Sequence, residues 1–170
     1  MATINHLATK LFLSEGLFNN VPSDHGGPTN RGVTLSTWRN VGYDKDGDSD
    51  IDIEDIRLLT TDDAFAVLKK HYWDRWHADE IGNQRVADIL VDWVWCSGKW
   101  GIIIPQRILR KPADGIVGPA TLKAVNSANP YQFLIQVYNA RVAFIVNLIR
   151  KDPSLARFER GWYNRLNTYL

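Results

Sequence analysis

The sequence contains little cysteine and little net charge, and both shortages narrow the class of protein. Its single cysteine, Cys96, excludes an intramolecular disulfide. The 20 Lys and Arg residues nearly balance the 19 Asp and Glu residues, so the net charge of +1 gives no signal for nucleic acid or an anionic membrane surface. Internal repeats and low-complexity tracts are absent. With 45% apolar residues in 170, the composition is typical of one soluble globular domain, or of a domain with a small appendage.

Long apolar stretches are also scarce. The first residues contain neither a basic segment nor an uninterrupted apolar segment, so no secretory signal is expected. No segment is apolar enough to predict a membrane span. The longest apolar pattern, residues 131–151, is interrupted by polar residues such as Gln136 and Arg141 and predicts a core helix. We expect a monomer.

One early stretch, residues 14–34, carries the groups best suited to chemistry. Ile4, Leu7 and Leu11 recur at helical spacing, and Gly16 is expected to end that helix. Glu15 would then lie on the last turn, where the negative end of the helix dipole opposes its charge. Such a position raises the pKa of a carboxyl group, which suits a general acid.

A second carboxylate and a hydroxyl follow in the glycine-rich loop. Asp24 lies nine positions after Glu15, and Thr29 five positions after Asp24. Two carboxylates that flank a cleft are the minimal equipment for glycoside hydrolysis, and Thr29 is a candidate to orient the water. The alternative is a helix C-cap followed by an ordinary polar turn, in which Asp24 bonds its own backbone. Residue types alone favour this second interpretation.

Residues 44–55 have the spacing of a calcium loop and resemble those of EF-hand and dockerin-type proteins. Seven of these twelve residues are Asp or Glu, and their charges repel unless a cation lies among them. Ser49 stands where the turn glycine belongs. We predict a structural calcium ion, with a solvated acidic loop as the alternative. The ligands at positions 1, 3, 5, 7 and 12 would be Asp44, Asp46, Asp48, the carbonyl of Asp50, and Asp55.

The remaining patterns predict a mostly α protein. Helices are expected over residues 35–41, 83–97, 119–126, 131–151 and 158–169. In the second of these, apolar residues at helical spacing predict a buried face. Asp88 and Asp92 share the other face and are expected to be solvated or to line a cleft.

The opening stretch resembles the start of the glycoside hydrolase family 108 muramidases, which are endolysin-type enzymes. Leu17 and His25 depart from the family pattern, where glycine and proline are usual. The order of Glu, Asp and Thr is also similar to that of phage-type lysozymes. The matching residues are Glu15-Gly16, Asp24, Gly26-Gly27, Thr29 and Gly32-Val33-Thr34.

The later part of the chain resembles the predicted peptidoglycan-binding module that follows the catalytic domain in this family. The resemblance is carried by residues 106–122 and by Phe158, Gly161, Trp162 and Arg165. It implies a lysozyme-like catalytic domain over residues 1–98, with the loop 44–55 inserted. A small helical module, residues 99–170, would pack on it.

The resemblance implies an N-acetylmuramidase that cleaves the β-1,4 bond between N-acetylmuramic acid and N-acetylglucosamine in peptidoglycan. Glu15 would be the general acid, Asp24 the base or electrostatic stabiliser, and Thr29 the residue that positions water. No cofactor is expected for catalysis, and glycan strands are the expected partner. Without a secretory signal, the enzyme would stay in the cytoplasm of a bacterial or phage-infected cell until a holin or exporter released it to the wall.

Two other classes of function remain open at this point. One is a non-catalytic wall-binding or phage structural protein that keeps the fold. The other is a calcium-dependent interaction module. Lysis of a cell-wall suspension distinguishes the enzyme from both, and binding to purified walls distinguishes the two binding proteins from each other.

Overall fold

The computed structural model describes residues 1–14, 18–20 and 27–170, with the backbone alone for Leu13 and Ser14. These residues form two compact units. One unit comprises residues 4–71, and the other comprises residues 1–3 together with 72–170. Each is built mainly of helices, so the prediction of a mostly α protein is confirmed.

The unit of residues 4–71 places a small hairpin among short helices. Its core is formed by large apolar side chains such as Leu11, Trp38 and Ile56, which are almost completely buried. Helix α2 covers the predicted residues 35–41, and the side chain of Thr34 caps it by accepting from the amide of Thr37. The described elements are α1 (Ile4–Ser14), β1 (Thr29–Asn30), β2 (Val33–Thr34), α2 (Leu35–Val41), α3 (Ile53–Arg57) and α4 (Thr61–Leu68).

The unit that contains residues 72–170 is a helical bundle around α5. Side chains of α5 are buried on nearly all sides, and this helix packs on α6 and α8. The π-helical turn Lys69–Trp73 contains the boundary between the two units. The elements that follow are the 3-10 helices Asp74–Trp76 and Ala78–Glu80, α5 (Gln84–Ser97), α6 (Trp100–Ile108), α7 (Pro119–Ser127), α8 (Pro130–Lys151), the 3-10 helix Pro153–Phe158 and α9 (Glu159–Asn167).

Helix α8 is the one helix in the described part of the chain that is long and apolar enough to cross a membrane by length and composition. A buried charge argues for a bundle helix instead. Arg141, in the middle of α8, is 5% exposed and forms an ion pair with Asp92 of α5. The helix also packs on α6, α7 and α9, as the core helix of a globular protein does.

The last helix is shorter than predicted. The sequence pattern predicts one helix over residues 158–169, whereas the structure has a 3-10 helix up to Phe158 and then α9 from Glu159 to Asn167. Pro153 begins the 3-10 segment, and Asp152 caps it by accepting from the amide of Ser154. This tighter turn carries the chain into α9.

Candidate active site

Thr29 is the predicted catalytic residue that falls within the described part of the chain. It lies in the middle of three short antiparallel segments. Its amide donates to the carbonyl of Asn19 at 2.9 Å, and its own carbonyl accepts from the amide of Asn19 at 2.7 Å. On the other side, Thr29 pairs with Thr34 of β2. The half-buried Thr29 hydroxyl donates to the carbonyl of Gly27 at 3.1 Å. Two backbone hydrogen bonds therefore fix Thr29 to Asn19 on one side, and Thr34 lies opposite it on the other.

Glu15 and Asp24 lie outside the described residues, as does Gly16, the predicted cap of α1. Ser14 is the last described residue before Glu15, and Gly27 is the first described residue after Asp24. Their predicted roles as acid and as base or stabiliser therefore stay predictions.

Asn30 and Arg31, for which the sequence predicts no role, attach the hairpin to α3 and to the residues just after it. The buried side-chain amide of Asn30 donates to the carbonyl of Ile56 at 2.8 Å and to that of Arg57 at 3.3 Å. The Nε atom of Arg31 donates to the carbonyl of Leu59 at 3.1 Å. The sequence signals these contacts only by placing a polar residue, Asn30, directly after the catalytic candidate Thr29.

The acidic loop 44–55 wraps its carboxylates around its own backbone amides. Asp44 accepts from the amides of Gly47 at 2.6 Å and Ser49 at 2.8 Å. Ser49 has a φ of 82°, the left-handed conformation that normally requires glycine. Ser49 thus adopts the backbone conformation that a calcium loop needs at its turn position.

The predicted ligands form two groups in the described structure. Oxygen atoms of Asp44, Asp46 and Asp48 lie within 4.8 Å of one another, and so do those of Asp50, Asp52 and Asp55. Asp52 belongs to the second group, although the predicted ligand set did not contain it. Each group alone offers enough carboxylates to hold a cation.

Asp55, at the last position of the loop, is completely buried. Its two carboxylate oxygens accept from the amides of Lys45 at 2.5 Å and Asp52 at 2.7 Å. The side chain of Asp52 in turn caps α3 by accepting from the amide of Glu54. Asp55 therefore connects the beginning of the loop with the helix that leaves it.

Hydrogen bonds, desolvation and neighbouring charges shift the pKa of several carboxyl groups of the loop. Hydrogen bonds from the amides of Ser49 and Gly47 lower the pKa of Asp44. The neighbouring charge of Asp48 raises the pKa of Asp50. Desolvation, together with the neighbouring carboxylates, raises the pKa of Asp46. Repulsion between these groups is what a bound cation would remove.

Asp92 is buried in an ion-pair network, so the expectation that Asp88 and Asp92 are solvated or line a cleft is wrong. Both carboxylates are completely buried. Asp92 binds Arg141 of α8 at 2.7 Å and Arg165 of α9 at 2.8 and 2.9 Å. Burial acts to raise the pKa of Asp92, but the two guanidinium groups outweigh it and hold the pKa below its usual value. These contacts join three helices of the bundle.

The turn at Asp114 and Gly115 is built around one buried side chain. The Nε2 atom of Gln106 donates to the Asp114 carboxylate at 2.9 Å and to the carbonyl of Ile116 at 2.8 Å. The amide of Gly115 donates back to the Gln106 side chain at 3.0 Å. All of these partners belong to the chain itself, so the Asp114 carboxylate stabilises the turn.

Comparison with known families and structures identifies the family. The model of the family described as "Glycosyl hydrolase 108" matches residues 8–98. The chain belongs to the glycosyl hydrolase 108 family. Residues 100–167 match a second family model, "Predicted Peptidoglycan domain". Because the first family consists of glycoside hydrolases, the protein is an enzyme of that class, and the two matches together support a peptidoglycan hydrolase.

A solved structure has the same fold along nearly the whole chain. It is that of Brucella abortus SagA, which is 24% identical to this chain, with a TM-score of 0.79. The match covers 98% of this chain and 92% of the SagA chain. The predicted fold class, a lysozyme-like domain with a C-terminal helical module, is confirmed. No curated protein sequence is significantly similar to this chain.

Proposed function

We propose that this protein is an N-acetylmuramidase, which hydrolyses the β-1,4 bond between N-acetylmuramic acid and N-acetylglucosamine in peptidoglycan. The observation that carries the proposal is the family match over residues 8–98, which contain Glu15, Asp24 and Thr29. In a glycoside hydrolase, one carboxylic acid protonates the leaving oxygen while a second carboxylate acts on the opposite face of the sugar. Glu15 and Asp24 are the candidates for these two roles.

Thr29 is proposed to hold the attacking water. Its hydroxyl donates to the carbonyl of Gly27, so the oxygen still has lone pairs that accept a hydrogen bond from water. The backbone of Thr29 is held on one side by Asn19 and on the other by Thr34. A water bound there would have a defined direction, which is the condition for positional catalysis.

Product analysis tests the bond specificity. Purified peptidoglycan is digested, the products are reduced with borohydride, and the reduced sugar at each chain end is identified by mass spectrometry. We expect reduced N-acetylmuramic acid, because a muramidase leaves that sugar at the new reducing end. Reduced N-acetylglucosamine would identify a glucosaminidase, and anhydro ends would identify a lyase; either result would contradict the proposal. If no products form while the protein still binds walls, the non-catalytic alternative is correct.

We further propose that the acidic loop 44–55 holds one structural calcium ion. Two observations support this: side-chain oxygens of Asp44, Asp46 and Asp48 lie within 4.8 Å of one another, and Ser49 has a positive φ at the turn position. Asp44, Asp46 and Asp48 would supply side-chain oxygens, Asp50 its carbonyl, and Asp55 the closing carboxylate.

Calorimetric titration tests the calcium site. We expect one Ca²⁺ per chain, with binding lost in Asp44→Ala. Asp62→Ala is the matched control, because Asp62 is an exposed carboxylate at the beginning of α4, outside the loop. Equal binding in both variants, or no binding in the parent, would identify a solvated acidic loop instead.

A further inference from the structure

The two residues of β1 face in opposite directions. Successive side chains of a strand alternate between its two faces, so Thr29 and Asn30 point away from each other. Asn30 is 5% exposed, whereas Thr29 is half-buried. The strand therefore presents the proposed catalytic hydroxyl on one face and a buried amide on the other.

The Asn30 amide is bonded to the C-terminal end of α3. Its Nδ2 atom reaches the carbonyls of Ile56 and Arg57 at 2.8 and 3.3 Å. The last carbonyls of a helix lack partners within the helix and carry its negative partial charge, so an uncharged donor suits them and a carboxylate does not. An asparagine can supply this bond, whereas an aspartate in the same place would repel the helix end.

Arg31 makes a second contact to the same region. Its φ of 51° is unusual for a residue with a side chain, and Gly32 follows with a φ of 78°. Two consecutive residues with positive φ form the tight turn whose twist fits a two-residue hairpin. The bond from Arg31 Nε to the carbonyl of Leu59, just after α3, holds the arginine in this conformation. The hairpin thus contacts the end of α3 through Asn30, and through Arg31 it contacts Leu59, which follows the helix.

We propose that Asn30 is a positioning residue for Thr29, with Arg31 as its support. The pairing with Asn19 and Thr34 fixes Thr29 within the plane of the strands. The Asn30 amide fixes the distance between the strands and α3. This distance determines where the Thr29 hydroxyl lies and therefore where it holds water. The inference rests on the proposed role of Thr29 in catalysis.

A double-mutant cycle in kcat separates positioning from general damage. We expect Asn30→Ala to lower kcat about 10–100-fold, the usual effect of a misplacement near 1 Å, with KM little changed. In a Thr29→Ala background, the same substitution should lower kcat no further, because the group that Asn30 positions is already missing. Losses that multiply in the double variant would overturn the inference.

Asn40→Ala is the matched control. Asn40 also donates from a side-chain amide to a backbone carbonyl, that of Ser36 at 2.7 Å, but on the exposed surface of α2. We expect its kcat to equal that of the parent. A loss of kcat equal to that of Asn30→Ala would show that removal of any such amide has this effect and would overturn the inference.

Hydrogen exchange gives a readout that does not depend on activity. In the parent, the Thr29 amide is protected by its bond to the carbonyl of Asn19. We expect its exchange to accelerate at least about tenfold in Asn30→Ala, while amides of α5 keep their parental rates. Unchanged exchange at Thr29 would overturn the inference even in an active enzyme. If the parent cleaves no peptidoglycan, the proposed function fails, and exchange still decides whether Asn30 fixes β1.

A second variant covers the case in which Asn30→Ala does not fold. Arg31→Gly removes the contact to Leu59 but leaves a residue that tolerates a positive φ, so it should fold. We expect Arg31→Gly to lower kcat about 2–10-fold, less than Asn30→Ala does. In a Thr29→Ala background, Arg31→Gly should lower kcat no further. Parental kcat in Arg31→Gly, together with unchanged exchange at Thr29, would contradict the proposal.

Discussion

The acidic loop of residues 44–55 and the buried Asp92 network show two opposite ways in which this chain treats carboxylates. In the loop, aspartates lie beside one another, and the charge of Asp48 raises the pKa of its neighbour Asp50. In the bundle, Asp92 is completely buried and binds Arg141 and Arg165, which lower its pKa. Lys45, the lysine of the loop, pairs with Asp63 of α4 outside it, whereas Asp92 has two arginine partners.

The pairing of Asp92 with two arginines distinguishes the Asp92 network, a structural contact, from the acidic loop, a candidate ligand site. A buried carboxylate with two arginines has its partners within the chain, and its removal takes the same counter-charge from both arginines. Carboxylates that repel one another gain most from a partner supplied from outside the chain. Stability measurements can therefore show whether the two regions differ as the contacts indicate.

Removal of Asp92 should have the largest effect on stability. Asp92→Ala removes the carboxylate from the buried Arg141 and from the half-buried Arg165, and loss of one partner of a buried ion pair typically costs about 3–5 kcal/mol. For a chain of this size, that loss corresponds to a decrease of roughly 6–20 °C in melting temperature. Thermal denaturation measures it. Calcium should not restore the lost stability.

Asp88→Asn is the control for this prediction. Asp88 is equally buried on the same helix and accepts from the side chain of Gln84 at 2.7 Å, a bond that an asparagine can keep. We expect a clearly smaller decrease in melting temperature. Equal losses in the two variants would mean that burial on α5, and not the pairing with arginine, determines the stability.

Calcium should raise the melting temperature of the parent by an intermediate amount. A ligand that binds only the folded state at 100-fold above its dissociation constant stabilises by mass action, and the corresponding shift here is about 5–10 °C. Asp44→Ala should lose this response, whereas Asp62→Ala should keep it. Identical melting curves of the parent with calcium and with a chelator would contradict the calcium proposal.

Asp114→Ala should decrease stability by a smaller amount and leave wall binding unchanged. The Asp114 carboxylate accepts from Gln106 and from the amide of Ile116, so its loss weakens an internal turn. A melting curve and a sedimentation assay with purified walls measure the two properties. Weaker binding to walls at an unchanged melting temperature would show that Asp114 contacts the ligand instead.

Lower pH should reduce the stabilisation by calcium, and this is the smallest expected effect. Desolvation and neighbouring carboxylates raise the pKa of Asp46, and the charge of Asp48 raises that of Asp50. Such groups stabilise the fold below their unfolded pKa, near 4, and lose this contribution as the pH rises through the folded value. Asp44 acts in the opposite direction, because its pKa is lowered.

The measurement for this pH effect is the gap in melting temperature between calcium-loaded and calcium-free protein. From pH 7 towards pH 4, the repulsion in the calcium-free loop decreases and protons compete with calcium for the same oxygens. We therefore expect the gap to narrow steadily. Asp44→Ala should show no gap at any pH, and a parental gap independent of pH would contradict carboxylate ligation.

Local patterns in the sequence predicted much of the fold. Helix α2 occupies the predicted residues, and the predicted buried face of α5 is confirmed by Ile89, Leu90 and Trp93. Both follow from apolar periodicity and from a capping residue at the start of the helix, which act within a few residues. The family resemblance supplied the rest of the architecture.

Contacts between distant residues could not be predicted in this way. Asp92 looks like a polar-face residue because its partner Arg165 lies 73 positions later. The attachment of Asn30 to Ile56 spans 26 positions and involves a backbone carbonyl, which any residue type offers. Such pairs depend on the tertiary arrangement, and a single sequence carries no periodic signal for them.

The rate of muropeptide release by Glu15→Gln tests the central claim most directly. Glutamine keeps the shape of the side chain but cannot deliver a proton to the leaving oxygen, so release should fall by about 10²–10⁴-fold. The melting temperature should not decrease, because a charge is removed from the expected end of a helix. Glu159→Gln, an exposed glutamate at the start of α9, should retain parental activity. Parental rates from a folded Glu15→Gln variant would contradict the assignment of Glu15 as the general acid.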